Sequence, residues 1–412
     1  MIIGAGFAGL ALAKKLSGKH FQVVLIDKQN YHAFQPLLYQ VATAGLEPDS
    51  IAYPVRKVFG KKEALFFRMA EVEEIRVEER IVCTNIGSLT FNHLIIATGS
   101  RTNFFGNQKI ESFSMPMKSV PEALNLRSLI LQNFEASLLT QDLKERERLM
   151  NYAIVGGGPI GVELAGALAE LKKHVLPQDY PDLDIRRMHI HLIQADDRLL
   201  PGMSKHSSEK SLQFLKKMGV EVWLNTLVKD YDGREVLTQN QRIPAQTLIW
   251  AAGVTGAFPK GIPAEAIHRG RLKVDGLQRL YGTSDIYAVG DVAFMEDGTD
   301  GKGHPMVAQV AIQQAHNLAT NLLRNRPTEK WKVFRYKDKG SMATIGRNKA
   351  VVDIGHWNSQ GRFAWILWMF VHLMALVGFR NRLVALTNWS LNYWSYDKGI
   401  RLIIRPFHRP ST

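Results

Sequence analysis

The apolar and polar positions of this chain spell one pattern twice. A short apolar lead, Ile2-Ile3, runs into GAGFAG at 4–9, and helical spacing follows through Leu16. Residues 21–26 then read as a strand apolar on both faces, ending at Asp27. The same order returns with an apolar run at 151–155, GGGPIG at 156–161, helical spacing over 162–173 and a strand over 189–194. Each copy is closed later by an apolar run that ends in small residues, 93–99 for the first and 247–253 for the second. Alternating strands and helices predict an α/β chain with two parallel sheets. Between and beyond these repeats, 71–98 alternates like a small antiparallel insertion, and 124–149 reads as one long charged surface helix. A further helix is predicted over 303–323, entered through Gly303 and Pro305, with paired strands over 331–356. Residues 363–379, FAWILWMFVHLMALVGF, are apolar on every face.

A glycine turn between a strand and a helix lets a pyrophosphate approach the helix N-terminus, so both repeats predict Rossmann-like dinucleotide-binding domains. In the first, Asp27 lies eighteen residues past Gly9, placed to accept hydrogen bonds from ribose hydroxyls. In the second, the strand ends in Gln194 where an acid is usual, with Arg198 nearby, so a ribose 2′-hydroxyl and a 2′-phosphate both stay open. Glu163 falls two residues past the third glycine, in the predicted first turn of its helix. There it either caps the helix dipole or handles protons where a nicotinamide meets a flavin. The run 285–291 leads back to the first repeat, and Asp291 would accept from a polyol chain.

The 303–323 helix would present first-turn N–H groups to a ring that becomes anionic on reduction. Gln309 and Gln313, four apart, would share a face and donate to a carbonyl against that ring; equally, both amides could bond neighbouring loops. Lys339 is either a ring-edge contact or a solvated strand lysine. Segment 30–44, NYHAFQPLLYQVATA, is either a packed loop or the cover of a flat ring through Tyr39 and Gln40.

Length and composition narrow the class. A chain of 412 residues predicts two or three domains, and 46% hydrophobic with 22% charged residues excludes wholesale disorder. One cysteine, Cys83, excludes an internal disulfide, dithiol chemistry and cysteine-based sulfide oxidation. The histidines show no HExxH or Cys/His pattern, and His189 and His191, on one strand face, read as structural; no metal is expected. The net charge of +14 implies an anionic partner. No secretory signal is read ahead of the first glycine motif, and the short first strand places the recorded start inside it.

Seventeen helical residues at 363–379 cover about 25 Å against a hydrocarbon core of roughly 30 Å, and His372 lies within them. Residues 380–412 hold five Arg, one Lys and one Asp, interleaved with Trp389, Tyr393 and Trp394. That mixture describes an element lying in the interface of an anionic bilayer, with a buried dimer contact as the competing reading.

Taken together, GAGFAG at 4–9, YHAFQPLLYQVATAG at 31–45, GGGPIGVELAGALAE at 156–170, YAVGDVA at 287–293, AQVAIQQ at 308–314, KGSMATIGR at 339–347 and FVHLMALVGFRNRL at 370–383 resemble the type II NADH:quinone oxidoreductases. The resemblance implies a discontinuous FAD domain over 1–115 and 260–327, an NAD(P)H domain over 116–259, and a C-terminal region over 328–412 whose helices anchor to membrane. It implies FAD contacts from Gly4, Gly6, Gly9, Asp27, Lys28, Asp291, Ala308, Gln309 and Lys339. Nicotinamide-nucleotide contacts fall to Gly156, Gly158, Gly161, Glu163 and the Ala252-Gly253 turn. Glu163, Gln309 and Gln313 become the quinone-side residues. The expected activity is hydride transfer from NADH to FAD and two-electron reduction of a membrane quinone. The expected state is a homodimer, peripheral on the cytoplasmic face of the cell membrane, with no nucleic-acid partner. The alternatives are a soluble NAD(P)H-dependent reductase of ferredoxin or a small quinone, and a basic flavin-bearing nucleic-acid binder. Gln194 departs from the acid of strict NADH users.

Overall fold

The computed structural model describes residues 1–60, 64–296, 301, 303–324, 327–395 and 401–408, apart from the side chains of 394 and 395. Trp394, one of the tail aromatics, therefore has its side chain outside the described set. The chain divides into two compact units: Met1–Ala33, Ala52–Arg101 and Val254–Asp338; then Phe34–Ile51, Thr102–Gly253 and Lys339–Thr412.

The first unit is built on a parallel five-stranded sheet in the order Ile286–Ala288, Leu94–Ile96, Ile2–Ile3, Val23–Asp27, Leu65–Met69. Successive strand residues point to opposite faces, and the register sorts them into two layers. Ile2 lies opposite Leu25 and Ile95, and all three pack with Leu12 and Ala13 of the Phe7–Leu16 helix and with Ala315 and Leu318 of the Ala308–Leu323 helix. Ile3, Ile26 and Ile96 face the other way, into a layer with Ile75, Val82 and Leu272. The alternating stretch at 71–98 forms the expected antiparallel sheet, Val72–Arg76, Ile81–Thr84 and Gly87–Thr90.

The Ala308–Leu323 helix begins five residues later than the apolar spacing predicts. Gly303 has φ +70°, Val307 is extended, and the Val307 N–H closes a tight turn on the Pro305 carbonyl. Pro305 thus sits in the approach to the helix and not at its first position.

The second unit holds another parallel five-stranded sheet, Met115–Pro116, Thr247–Trp250, Tyr152–Val155, Ile190–Ile193, Glu221–Trp223. Ala153, Val155, Ile193, Leu248 and Trp250 pack with Tyr231, Val236 and Ile243 of a small antiparallel sheet. The predicted single surface helix at 124–149 is two helices, Val120–Leu139 and Leu143–Met150. Thr140 leaves helical geometry, and Asp142 restarts it by accepting the Lys144 N–H. The first begins at a capping box of Ser119 and Glu122, and it is buried along Ala123, Leu126, Ile130 and Phe134. Charge in the second helix hid the apolar stripe of the first.

Residues 328–412 are not a third body: 328–338 belong to the first unit and 339–412 to the second. The antiparallel strands Ser341–Thr344, Ala350–Ile354 and Trp357–Gln360 form a sheet whose Ser341–Thr344 strand lies against the Pro159–His174 helix. Gly166 permits this approach, since a Cβ there would stand 2.8 Å from the Ile345 backbone. The predicted 363–379 helix runs Gly361–Ala375 and stops where Leu376 turns extended and Gly378 takes φ +89°; Phe379–Ser395 comes next. It is also two-faced. Ala364 and Trp368 are buried, while Phe363, Ile366, Phe370 and Met374 are exposed. No helix among the described residues is long and apolar enough to cross a membrane.

Candidate functional site

The two glycine turns share one backbone solution. Gly4 (φ +102°) and Gly156 (φ +111°) lie so close to the closing strands that a Cβ would sit 2.3 Å from the Ala97 carbonyl oxygen and 2.6 Å from that of Ala251. A Cβ at Gly9 or Gly161 would fall on the carbonyl of the first glycine, at 1.8 and 1.9 Å. At Gly6 and Gly158, by contrast, no atom of the described residues beyond the immediate chain neighbours stands within 4 Å of where a Cβ would be. Both are the extended N-cap of the following helix and neither caps it with a side chain. Each turn is therefore closed toward its own sheet and open on the side where unpaired helix N–H groups meet a pyrophosphate.

Around the first turn, the half-buried Asp27 accepts from the Ala5 N–H (2.6 Å) and the Gln29 N–H (2.7 Å). Burial raises its pKa against the pull of those bonds and of Lys28, which is exposed. Asp291, half-buried, accepts from the Ser100 hydroxyl at 2.6 Å. The adjacent Gly290 N–H donates to Gln314 Oε1 at 2.7 Å. Gln314 is wholly buried, yet its Nε2 has no hydrogen-bond partner among the described residues. An orphaned buried donor beside the Gly290–Asp291 turn, with the open flank of Gly6, suits a bound dinucleotide with polar acceptors.

Ala308 and Gln309, both half-buried, open the 308–323 helix, which has no side-chain cap. Gln313, paired with Gln309 by spacing, has its amide held from both ends: Nε2 donates to the Lys337 carbonyl (2.9 Å) and Oε1 accepts the Lys337 N–H (3.0 Å). This is the loop-bonding arrangement, and it anchors the chain past Phe334 to the helix. Lys339 is exposed and opens the second unit.

In the second unit, Glu163 is not in the first turn of its helix. The helix starts at Pro159 behind Gly158, leaving Glu163 as its fifth residue, past the reach of the terminal N–H groups. It is 5% exposed and accepts the Thr344 N–H at 3.3 Å. Burial pushes its carboxyl up to about 8 against the Thr344 bond and the neighbouring Trp368 indole, whose N–H falls short of a full hydrogen bond.

Glu163 forms part of the wall of a cavity of about 130 Å³, along with Tyr39, Gln40, Thr344, Trp368 and Trp389. That is close to the ~150 Å³ that takes a single benzene ring. Trp389 Nε1 donates to Gln40 Oε1 and Gln40 Nε2 donates to the Tyr39 hydroxyl, each at 2.8 Å. Burial first, and the charge of Glu163 second, hold the Tyr39 phenol well above its usual range. His372 stacks on Trp368 at 4.2 Å, bonds its carbonyl and is pushed down to about 4 by burial, so it is neutral. Segment 30–44 packs as a folded loop, and its Tyr39 and Gln40 line this cavity. Trp368 and Trp389 read from the sequence as interface aromatics; the spacing of Ala364, Trp368 and His372 at every fourth residue was the available signal for an inward face.

The Ile190–Ile193 strand, which follows the Pro159–His174 helix, ends at Gln194, and that side chain bonds the turn itself. Gln194 Oε1 accepts from the Gly157 N–H at 2.6 Å, and Nε2 donates to Asp196 Oδ2 at 2.7 Å. Arg198 donates to the Pro201 carbonyl at 2.6 Å. The Phe105 ring covers the Gly253 turn, 2.7 Å from where a Cβ would stand. His189 and His191 share Glu221 at 2.6 and 3.2 Å, and no metal-binding cluster occurs among the described residues.

Two glycine turns on two parallel sheets define a protein with two dinucleotide sites. A family model described as pyridine nucleotide-disulphide oxidoreductase matches residues 1–315, and one described as the NDH2 C-terminal domain matches 339–394. Among curated relatives, the type II NADH:quinone oxidoreductase NdhA of Mycobacterium tuberculosis is 35% identical, over 97% of this chain and 88% of its own. The Ndh of the same organism is 34% identical, over 97% and 89%. Among solved structures, NDH2 of Plasmodium falciparum in complex with NADH superposes with TM-score 0.88 at 22% identity, over 98% and 99% of the two chains. The sulfide:quinone oxidoreductase of Aquifex aeolicus does so at TM-score 0.67 and 17% identity, over 95% and 94%; at these identities both speak for the fold alone. The chain belongs to the type II NADH:quinone oxidoreductases of the pyridine nucleotide-disulphide oxidoreductase family.

Proposed function

We propose that Glu163 delivers a proton to the quinone in an enzyme that oxidises NADH with FAD and reduces quinone without pumping protons. The activity is that of the family, an FAD-dependent NADH:quinone oxidoreductase, and the soluble-reductase alternative has no support in the C-terminal match. The chemistry that bound FAD would supply is acceptance of a hydride from NADH and delivery of two electrons to the quinone. Gly4, Gly6 and Gly9 would cradle its pyrophosphate, Asp27 and Lys28 would meet its adenosine end, and Asp291 its polyol chain. Ala308 and Gln309, opening an uncapped helix, would meet the flavin ring. Gly156, Gly158 and Gly161 would hold the NADH pyrophosphate, with Gly253 beside the nicotinamide.

The observation that carries the proposal is a buried carboxyl, pushed by burial well above the usual carboxylate range, in the wall of a ring-sized cavity. Reduction of a quinone to a quinol takes two electrons and two protons. One hydrogen arrives with the hydride of NADH, so NADH, quinone and one further proton give NAD+ and quinol; Glu163 supplies that proton to a quinone oxygen and is restored from solvent. The Tyr39 hydroxyl, accepting from Gln40, is oriented to donate a hydrogen bond in the same cavity. Gln313 is left out of this set because its amide bonds Lys337. Steady-state turnover with NADH and several quinones tests the assignment in Glu163→Gln: quinone reduction should fall about 100-fold, while flavin absorbance stays at the wild-type level. Equal loss of both would refute the role.

For the C-terminal helices we propose contact with an anionic lipid surface on the cytoplasmic face of the membrane. Phe363, Ile366, Phe370 and Met374, then Phe379, Leu383 and Leu386, expose apolar side chains at helical spacing, beside the exposed Arg380 and a basic tail. A homodimer is the companion proposal, checked by light scattering of the detergent-solubilised protein.

A further inference from the structure

We infer that Gln194 and Asp196 act as one reader of the adenosine ribose, in which Asp196 bars a 2′-phosphate, so that the enzyme selects NADH over NADPH although its strand ends in a neutral residue. The inference rests on the proposed seating of the nicotinamide nucleotide at the 156–161 turn. A free glutamine at 194 would accommodate either nucleotide, but this amide is engaged at both ends. Its oxygen holds the Gly157 N–H of the turn and its nitrogen holds Asp196 Oδ2, at 2.6 and 2.7 Å. Gly157 packs so closely that a Cβ would come within 3.1 Å of the Gln194 side chain, tying the amide to the turn where the pyrophosphate sits.

Asp196 is thereby fixed at the mouth of the strand. Its carboxylate is exposed, and Oδ1 has no partner among the described residues, leaving an acceptor for a ribose hydroxyl. Asp197 comes next, also exposed, and no ion pair neutralises either one among the described residues. The cation nearest in sequence, Arg198, donates to the Pro201 carbonyl. A 2′-phosphate would meet the Asp196 carboxylate there, a like-charge placement that rejects the wrong ligand more strongly than it rewards the right one. A glutamate at 194 would itself face Asp196 at hydrogen-bond distance, which explains why an amide stands between the acid and the turn.

The test uses the flavin-loaded full chain and reads both kcat/KM for NADH against NADPH and calorimetric binding of AMP against adenosine 2′,5′-bisphosphate. The wild type should favour the unphosphorylated ligand of each pair. Asp196→Ser, at an exposed position, should shrink that preference about 10-fold, mainly by improving the phosphorylated ligand. Asp196→Glu should retain it, and Gln194→Leu, checked for intact flavin absorbance, should shrink it as well. A wild type that binds both ligands alike, or an unchanged preference in Asp196→Ser, overturns the inference. Gly158→Val separates this from failure of the seating itself. Its side chain would enter the open flank of the turn and should weaken both ligands alike. If it weakens neither, the nucleotide does not sit at this turn and the inference falls with that placement.

Discussion

The two glycine turns have nearly the same backbone, but the residues that support them carry different chemistry. Asp27 ends one strand and Gln194 the other, yet both side chains accept the N–H of the residue after the first glycine, Ala5 and Gly157, at 2.6 Å. The strand-end residue therefore serves first as an anchor of the turn, and an amide does that as well as a carboxylate. Charge is a separate property, carried by Asp27 itself in one unit and displaced to Asp196 in the other. The helices differ similarly. The fifth residue is Ala11 in Phe7–Leu16 and Glu163 in Pro159–His174, so the shared scaffold carries a buried acid in one copy only.

The comparison is broken most severely at the glycines. Gly4→Ala and Gly156→Ala each drive a Cβ into a carbonyl on the closing strand, a strain of about 3 kcal/mol or more. Gly4→Ala should purify without flavin, whereas Gly156→Ala should stay yellow and lose NADH-dependent turnover. A colourless Gly156→Ala protein would contradict the division of roles.

Glu163 sharpens the difference between the helices through pH. Its carboxyl is raised from 4.5 to about 8, so the folded protein binds its proton more tightly than the unfolded chain does. The stability this contributes is fully present below pH 4.5 and is lost as pH rises to about 8. Urea unfolding across that window should show stability falling with pH in the wild type and a flatter profile in Glu163→Gln. Quinone turnover should decline over the same upper limb as the carboxyl gives up its proton. A profile identical in both proteins would remove Glu163 as the titrating group.

A smaller effect separates the two faces of the Gly361–Ala375 helix. Phe363→Ser, Ile366→Ser and Phe370→Ser together alter exposed residues only and should weaken sedimentation with anionic vesicles by about 10-fold or more, leaving flavin in place. Removing everything past Gly361 is a poorer experiment, because Trp368 would leave the cavity wall with it. Smallest is Gln313→Ala, which should lower stability by about 1–2 kcal/mol through the two lost Lys337 bonds. Its quinone kinetics should stay near wild type; a large kinetic loss would return Gln313 to the catalytic set.

Much of this arrangement was legible in the chain itself because it is local. A GxGxxG between an apolar run and a helical repeat admits few backbones, and the sorting of strand residues into layers follows from parity: Ile2 and Ile3 necessarily face opposite layers. Element ends were less legible. The 308–323 helix begins late because of an irregular approach through Gly303 and Val307, and the 124–149 stretch breaks at Thr140, where local capping outweighed the apolar spacing. Glu163 stood out in the sequence, but its environment was misplaced by most of a turn, and that shift turns a dipole cap into a buried acid.

The repeated turns and the family motifs are written in the chain, because each motif spans residues within one or two helical turns of one another. Folding alone settles that Gln313 grips Lys337, that Tyr39 and Trp389 come together around Glu163, and that Gln194 holds the Gly157 N–H. These depend on side chains from distant stretches meeting in a low-dielectric interior or in a single hydrogen-bond geometry, and no spacing along the chain encodes such encounters.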